Sequence, residues 1–88
     1  MKLQAEVSLY PLRTNDLSSP IDAFYTSMAR TGVTLDPGRM STLVSGDSVR
    51  VFEAIQRAFS EVAEEHQVVL VVKLSNACPE REKAAEGQ

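Results

Sequence analysis

Three features of this 88-residue chain predict an α+β sandwich built on a four-stranded antiparallel sheet. Strand-like apolar segments occur near both ends, two stretches with helical apolar spacing lie between them, and an Asp-Pro-Gly turn joins two short apolar runs in the middle. The resulting order is β-α-β-β-α-β. Right-handed crossovers for its two split βαβ units give a ferredoxin-like arrangement, with strand order 4-1-3-2 and two helices on one face. The other face of the sheet is left open.

Residues 3–10 alternate strictly. Leu3, Ala5, Val7 and Leu9 fall on one side, and Gln4, Glu6, Ser8 and Tyr10 on the other, the period of a half-buried strand. Pro11 is expected to end that ladder because it has no amide donor. The first helix is expected to start at Ser19-Pro20-Ile21-Asp22, with Ser19 as cap, Pro20 in the first helical position and Asp22 completing a capping-box-like pair. Ile21, Phe24, Tyr25 and Met28 follow at helical spacing, and Gly32 is placed to stop the helix in a left-handed conformation.

Residues 33–35 and 40–45 read as two strands joined by the turn Asp36-Pro37-Gly38-Arg39, since aspartate, proline and glycine are the residues that tight turns select. Asp47 or Ser48 is expected to cap the second helix. Its apolar stripe reads Phe52, Ile55, Phe59 and Val62, and Glu53, Arg57 and Glu61 lie on a separate face at i, i+4 spacing. Residues 68–74 form the last strand, with Val68, Leu70, Val72 and Leu74 toward the helices. Val69 and Val71 then point to the open face. Two valines there would gain on the order of 3 kcal/mol from burial by a partner, so a homo-oligomer through the open face is expected. Residues 1–79 form one domain in this reading, and 80–88, without an apolar stripe, a flexible tail.

A net charge of −3 argues against a phosphate-tracking nucleic-acid binder, which carries a basic face. An RNA-binding sheet would also need aromatic platforms on its strands, and Tyr10 is the only aromatic residue in any expected strand. No apolar run approaches the roughly 20 residues needed to span a bilayer, and no leader-like segment opens the chain; a cytoplasmic protein without membrane insertion is expected. The single cysteine cannot form an intramolecular disulfide. His66, the only histidine, has no ligand set around it, so no metal is expected. Cys78 reads as a structural or ligand-packing thiol, since His66 is its only possible imidazole base.

Polar groups concentrate in three strand-end segments: Ser8-Leu9-Tyr10-Pro11, Met40-Ser41-Thr42-Leu43-Val44-Ser45-Gly46-Asp47 and Leu74-Ser75-Asn76-Ala77-Cys78-Pro79. Hydroxyls and amides gathered on one sheet can hydrogen-bond a small molecule without an ionisable catalyst. Ser8 and Tyr10 share a face, whereas the adjacent Ser41 and Thr42 must point to opposite faces. Asn76 both donates and accepts, which suits an aminopyrimidine edge. A bland reading is that Ser41 and Thr42 are ordinary strand residues and Asn76 ends its strand through local backbone bonds. Arg13 and Asn15 superficially suit an acylphosphatase-like hydrolase on the same fold, but their loop lacks a glycine cradle and Asp16 opposes an anion.

These segments, with Leu12 and Val51-Phe52, resemble the YkoF-like thiamine-binding family in order across residues 4–79. The resemblance implies a ferredoxin-like domain that binds thiamine or its hydroxymethylpyrimidine moiety without catalysis or cofactor. It also implies assembly of single-domain members into homodimers or homotetramers. The ligand-binding candidates carried over are Ser8, Tyr10, Ser41, Thr42 and Asn76. A cationic thiazolium further calls for a carboxylate or an aromatic face; Glu6 and Asp47 are the candidate partners, and Tyr10 could stack. The expected function is a cytoplasmic carrier or sensor. The alternatives are an oligomeric interaction module with no small-molecule ligand, and the small hydrolase.

Overall fold

The computed structural model describes residues 1–77. The element order is β1 (Lys2–Leu12), α1 (Ser18–Ala29), β2 (Thr34–Pro37), β3 (Thr42–Asp47), α2 (Ser48–Ala63) and β4 (Gln67–Ser75). The strands form one antiparallel sheet in the order β2-β3-β1-β4, which is the expected 4-1-3-2 read from the other edge. Cys78 and Pro79 of the third polar segment, and the expected tail at 80–88, lie outside the described residues.

β1 is the central strand. It pairs with β4 from Gln4↔Ser75 to Leu12↔Gln67, but with β3 only from Lys2↔Asp47 to Val7↔Thr42. Its alternation is used as the sequence implies: Leu3, Ala5, Val7 and Leu9 are buried beneath the helices. Pro11, however, does not end the ladder, and stands opposite Val68. At that point β1 has already outrun β3, so a residue without an amide donor costs no bond on that flank.

The start of α1 also departs from expectation. Leu17 is the cap residue and makes no side-chain capping bond. Asp16 serves instead, its Oδ1 accepting from the Ser19 amide at 3.1 Å and its Oδ2 from the Ser19 hydroxyl at 2.6 Å. Ser19 is thus a donor rather than the cap, Asp22 completes no box, and Pro20, the third rather than the first helical residue, is buried. Phe24 and Met28 reach the core, with Ile21 and Tyr25 packed at its margin. Gly32 ends the segment at φ +88°, as its position predicts.

The hairpin turns two residues later than the Asp-Pro-Gly signal indicates. Asp36 and Pro37 belong to β2, opposite Leu43 and Thr42, and the turn spans Gly38–Ser41, closed by the Gly38 amide on the Ser41 carbonyl at 2.8 Å. Register decides the matter: Leu35 opposite Val44 sets both on the helix side, and edge strand β2 tolerates a proline. A Cβ on Gly38 would stand 2.9 Å from the Ser41 carbonyl oxygen, so the tight turn needs glycine.

α2 is capped by Asp47, whose Oδ2 accepts from the Val49 amide at 3.2 Å. Its buried face consists of Val51, Ala54, Ala58 and Val62, flanked by Ile55 and Phe59. The expected stripe therefore fails at Phe52, which is 54% exposed. Small residues lie deepest because α2 packs closely on both α1 and the sheet, and large residues occupy the margins of that contact. Arg57 and Glu53 make the i, i+4 pair at 3.9 Å. On β4, Val68, Leu70 and Val72 pack against the core, while Leu74 is 44% exposed beside Phe52 instead of covered by a helix. Val69 and Val71 face the open side, each 46% exposed.

Two outcomes follow from this packing. Phe52→Gln is expected to change unfolding free energy by no more than about 0.5 kcal/mol, whereas Ala58→Leu overpacks the helix contact and costs about 1–3 kcal/mol in urea unfolding. The Ser19 hydroxyl and amide, which bond to the Asp16 carboxylate, hold it below its usual 3.8. A depressed folded value means the stabilisation is complete above the unfolded value and is lost as pH falls through the folded one. An NMR titration is expected to place the Asp16 midpoint below 3.8, and Ser19→Ala to return it toward 3.8.

Candidate functional site

The uneven lengths of the strands create the site. β1 has 11 residues and β3 only 6, so beyond Val7 one flank of β1 has no neighbouring strand. Two adjoining hollows occupy that place. The first, about 180 Å³, is bounded by Ser8, Leu9 and Tyr10 of β1, Ile21 and Tyr25 of α1, and hairpin residues Gly38 to Thr42. The second, about 240 Å³, opens onto the uncovered sheet face between Glu6, Ser8, Tyr10, Met40, Ser41, Val71 and Lys73. Ser8, Tyr10, Met40 and Ser41 border both.

Hydrogen bonds fix the polar groups at this junction. The Ser8 hydroxyl donates to the Met40 carbonyl at 3.3 Å and the Ser41 hydroxyl to Glu6 Oε2 at 2.9 Å. Lys73 Nζ lies 3.8 Å from Glu6 Oε1. Both side chains of that ion pair are substantially exposed, and exposed pairs contribute about 0–1 kcal/mol, so a ligand cation could displace the lysine at small cost. Arg39, at the hairpin tip, is the one charged residue of the first hollow. Tyr25 is braced edge-on against buried Phe24, with ring centroids 5.1 Å apart.

Of the residues singled out from the sequence, Ser8, Tyr10, Ser41, Thr42 and Glu6 converge here. Alternation resolves the hydroxyl pair: Thr42 is buried opposite Val7 and borders only the first hollow, while Ser41 reaches both. Asn76 does not join them. β4 runs antiparallel to β1, so its end returns to the start of β1, where Asn76 borders a separate hollow with Met1, Leu3, Phe52, Leu74 and Ser75. Its Nδ2 lies 3.9 Å from Met1 Sδ. Asp47 is also at that end, capping α2 and pairing with the Met1 ammonium at 3.5 Å. Both therefore stand apart from the two joined hollows. Cys78 lies outside the described residues.

Arg13, φ +54°, turns the chain out of β1 and donates to Gln67 Oε1 at 2.6 Å; it borders neither hollow of the site. No group of His, Cys, Asp or Glu that could hold a metal occurs among the described residues. None of their helices is long and apolar enough to cross a membrane. Ile21, Tyr25, Arg39 and Met40 are site residues that the sequence reading did not pick out. Ile21 and Tyr25 carry the same helical spacing as the core residues beside them, Arg39 marks only a turn, and Met40 is an apolar residue at the start of an expected strand.

The family model described as the YKOF-related family matches residues 2–81. The chain belongs to the YKOF-related family. Solved structures share its fold. A hypothetical protein from Methanocaldococcus jannascii is 25% identical, with 98% of this chain and 96% of that one covered and a TM-score of 0.82. A Thermotoga maritima protein described as a "putative thiamine biosynthesis/salvage protein" is 15% identical over the full length of both chains, with a TM-score of 0.82. A Streptococcus pneumoniae protein is 20% identical, with a TM-score of 0.84 over 97% of this chain and 99% of that one. No curated protein matches the chain.

Proposed function

We propose that this member of the YKOF-related family binds thiamine or its hydroxymethylpyrimidine moiety without catalysis, as a cytoplasmic carrier or sensor. The observation that carries this reading is the convergence of Ser8, Tyr10, Ser41 and Glu6 where the two hollows meet. The hydroxyls suit a neutral, hydrogen-bonding heterocycle, and the Glu6 carboxylate with the Tyr10 ring suits an attached cationic ring. Family membership supports the ligand class, as does the thiamine-related description of the Thermotoga maritima neighbour. The Ser41 hydroxyl donates to Glu6 Oε2 at 2.9 Å; in this reading the carboxylate orients that hydroxyl toward the ligand and meets its cationic ring.

In this reading the open sheet face joins copies into a homodimer or homotetramer. Val69, Val71 and Tyr10 form its apolar part, and Val71 and Tyr10 also border the second hollow. A second copy would therefore roof a hollow that a single copy leaves open.

Thermal unfolding with thiamine, thiamine phosphate and hydroxymethylpyrimidine checks the ligand class. A ligand at 100 times its dissociation constant is expected to add about 2.7 kcal/mol of stability, and Tyr10→Ala to remove most of that gain. No shift at millimolar concentration with any of the three would refute the reading. Sedimentation at micromolar concentration is expected to show a dimer or tetramer that Val69→Asp dissociates; a monomeric parent protein would contradict the assembly.

A further inference from the structure

The direction in which each β1 residue turns its backbone groups follows from one bond. The Ser48 amide donates to the Met1 carbonyl at 2.8 Å, beside the Lys2↔Asp47 pair that begins the β1–β3 ladder. In an antiparallel ladder a residue directs its N–H and C=O to the same neighbour, and successive residues alternate sides. The register runs without a break, so odd-numbered residues of β1 turn toward β3 and even-numbered ones toward β4. The prolines agree with this assignment. Pro11 turns its missing donor to the flank that β3 has vacated, and Pro37, by the same counting through β3 and β2, turns its own to the free edge of the sheet.

Val7 is the last odd residue with a β3 partner, Thr42. Leu9 comes next, and continued register would place Met40 opposite it. The hairpin closes too early for that: Gly38 bonds to Ser41, and the Met40 carbonyl accepts from the Ser8 hydroxyl. The Leu9 N–H and C=O consequently have no backbone partner among the described residues. Leu9 is itself buried, 6% exposed, and it borders the first hollow. Backbone groups in so enclosed a place ordinarily have a partner.

We propose that the Leu9 main-chain N–H and C=O read the edge of the bound molecule. The edge they fit is that of a flat nitrogen heterocycle with a ring-nitrogen acceptor next to an exocyclic amine donor. Leu9 supplies a donor and an acceptor side by side, as it would to a neighbouring strand, and such a heterocycle returns the matching pair. Ile21, Tyr25 and Met40 offer apolar surface to its faces. The inference rests on the proposed function, whose pyrimidine carries this edge in its 4-amino group and the adjacent ring nitrogen. Specificity then lies in the backbone, which no side-chain replacement removes directly.

Amide hydrogen exchange of the ¹⁵N-labelled protein tests this, without ligand and then with 4-amino-5-hydroxymethyl-2-methylpyrimidine or its N4,N4-dimethyl analogue. In the free protein the Leu9 amide is expected to exchange at least about tenfold faster than those of Ala5 and Val7, which the ladder holds. Saturation with the pyrimidine slows Leu9 and shifts its resonance, while the dimethyl analogue, lacking the donor, binds about tenfold more weakly. A Leu9 amide as protected as Val7 without ligand overturns the open edge. Binding that leaves the Leu9 amide unchanged overturns the recognition mode. Failure of the pyrimidine to bind at all overturns the functional reading and its ligand class, and the free-protein exchange then decides the state of the edge separately.

Discussion

The pairing of β1 with neighbours of unequal length governs the rest of the molecule. One flank is matched to β4 from Gln4 to Leu12; the other is matched to β3 only as far as Val7. The paired portion fixes the register that buries Leu3, Ala5 and Val7 under the helices. The unmatched portion, from Ser8 onward, leaves a gap between the hairpin and α1, and the candidate site fills it. The two hollows thus lie mainly where β1 has lost its second neighbour, with Glu6 the contribution of its doubly paired part.

The helices make that division possible. α2 packs through Val51, Ala54, Ala58 and Val62, which lets it approach α1 and the sheet closely over the lower part of β1. α1 sets Phe24 and Met28 into the core and leaves Ile21 and Tyr25 at its margin, where they become a wall of the first hollow. Phe24 braces Tyr25 edge-on, so the wall is held by the core itself. On the opposite face of the sheet, Glu6, Lys73 and Ser41 form an exposed polar cluster bordered by Val71.

The fold was legible in the sequence because its signals are periodic and local. The alternation of Leu3 to Leu9, the helical spacing of Phe24 and Met28, Gly32 and the Asp47 cap all keep their meaning in three dimensions. The misread details were set by tertiary competition. Asp-Pro-Gly marks a turn, yet the pairing of Leu35 with Val44 draws Asp36 and Pro37 into the strand. Phe52 has the bulk of a core residue, but the close helix contact selects Ala54 and Ala58. Asp16 rather than Ser19 is the acceptor because the helix begins at Ser18, before Pro20, and both residues are capping types at workable spacing.

The site was legible only in part. Ser8, Tyr10 and Thr42 lie on the adjacent strands β1 and β3, and Ser41 in the turn between β2 and β3, so topology brought them together. Asn76 looked equivalent as a polar strand-end residue, but antiparallel pairing carries it to the other end of β1. The Leu9 backbone has no signature in residue type, since its availability depends on where a neighbouring strand stops. A crystal structure of the complex with hydroxymethylpyrimidine tests the central claim most directly. The ring is expected between Tyr25 and the Gly38–Ser41 turn, against Leu9; a ring beside Asn76 and Phe52 would contradict this placement.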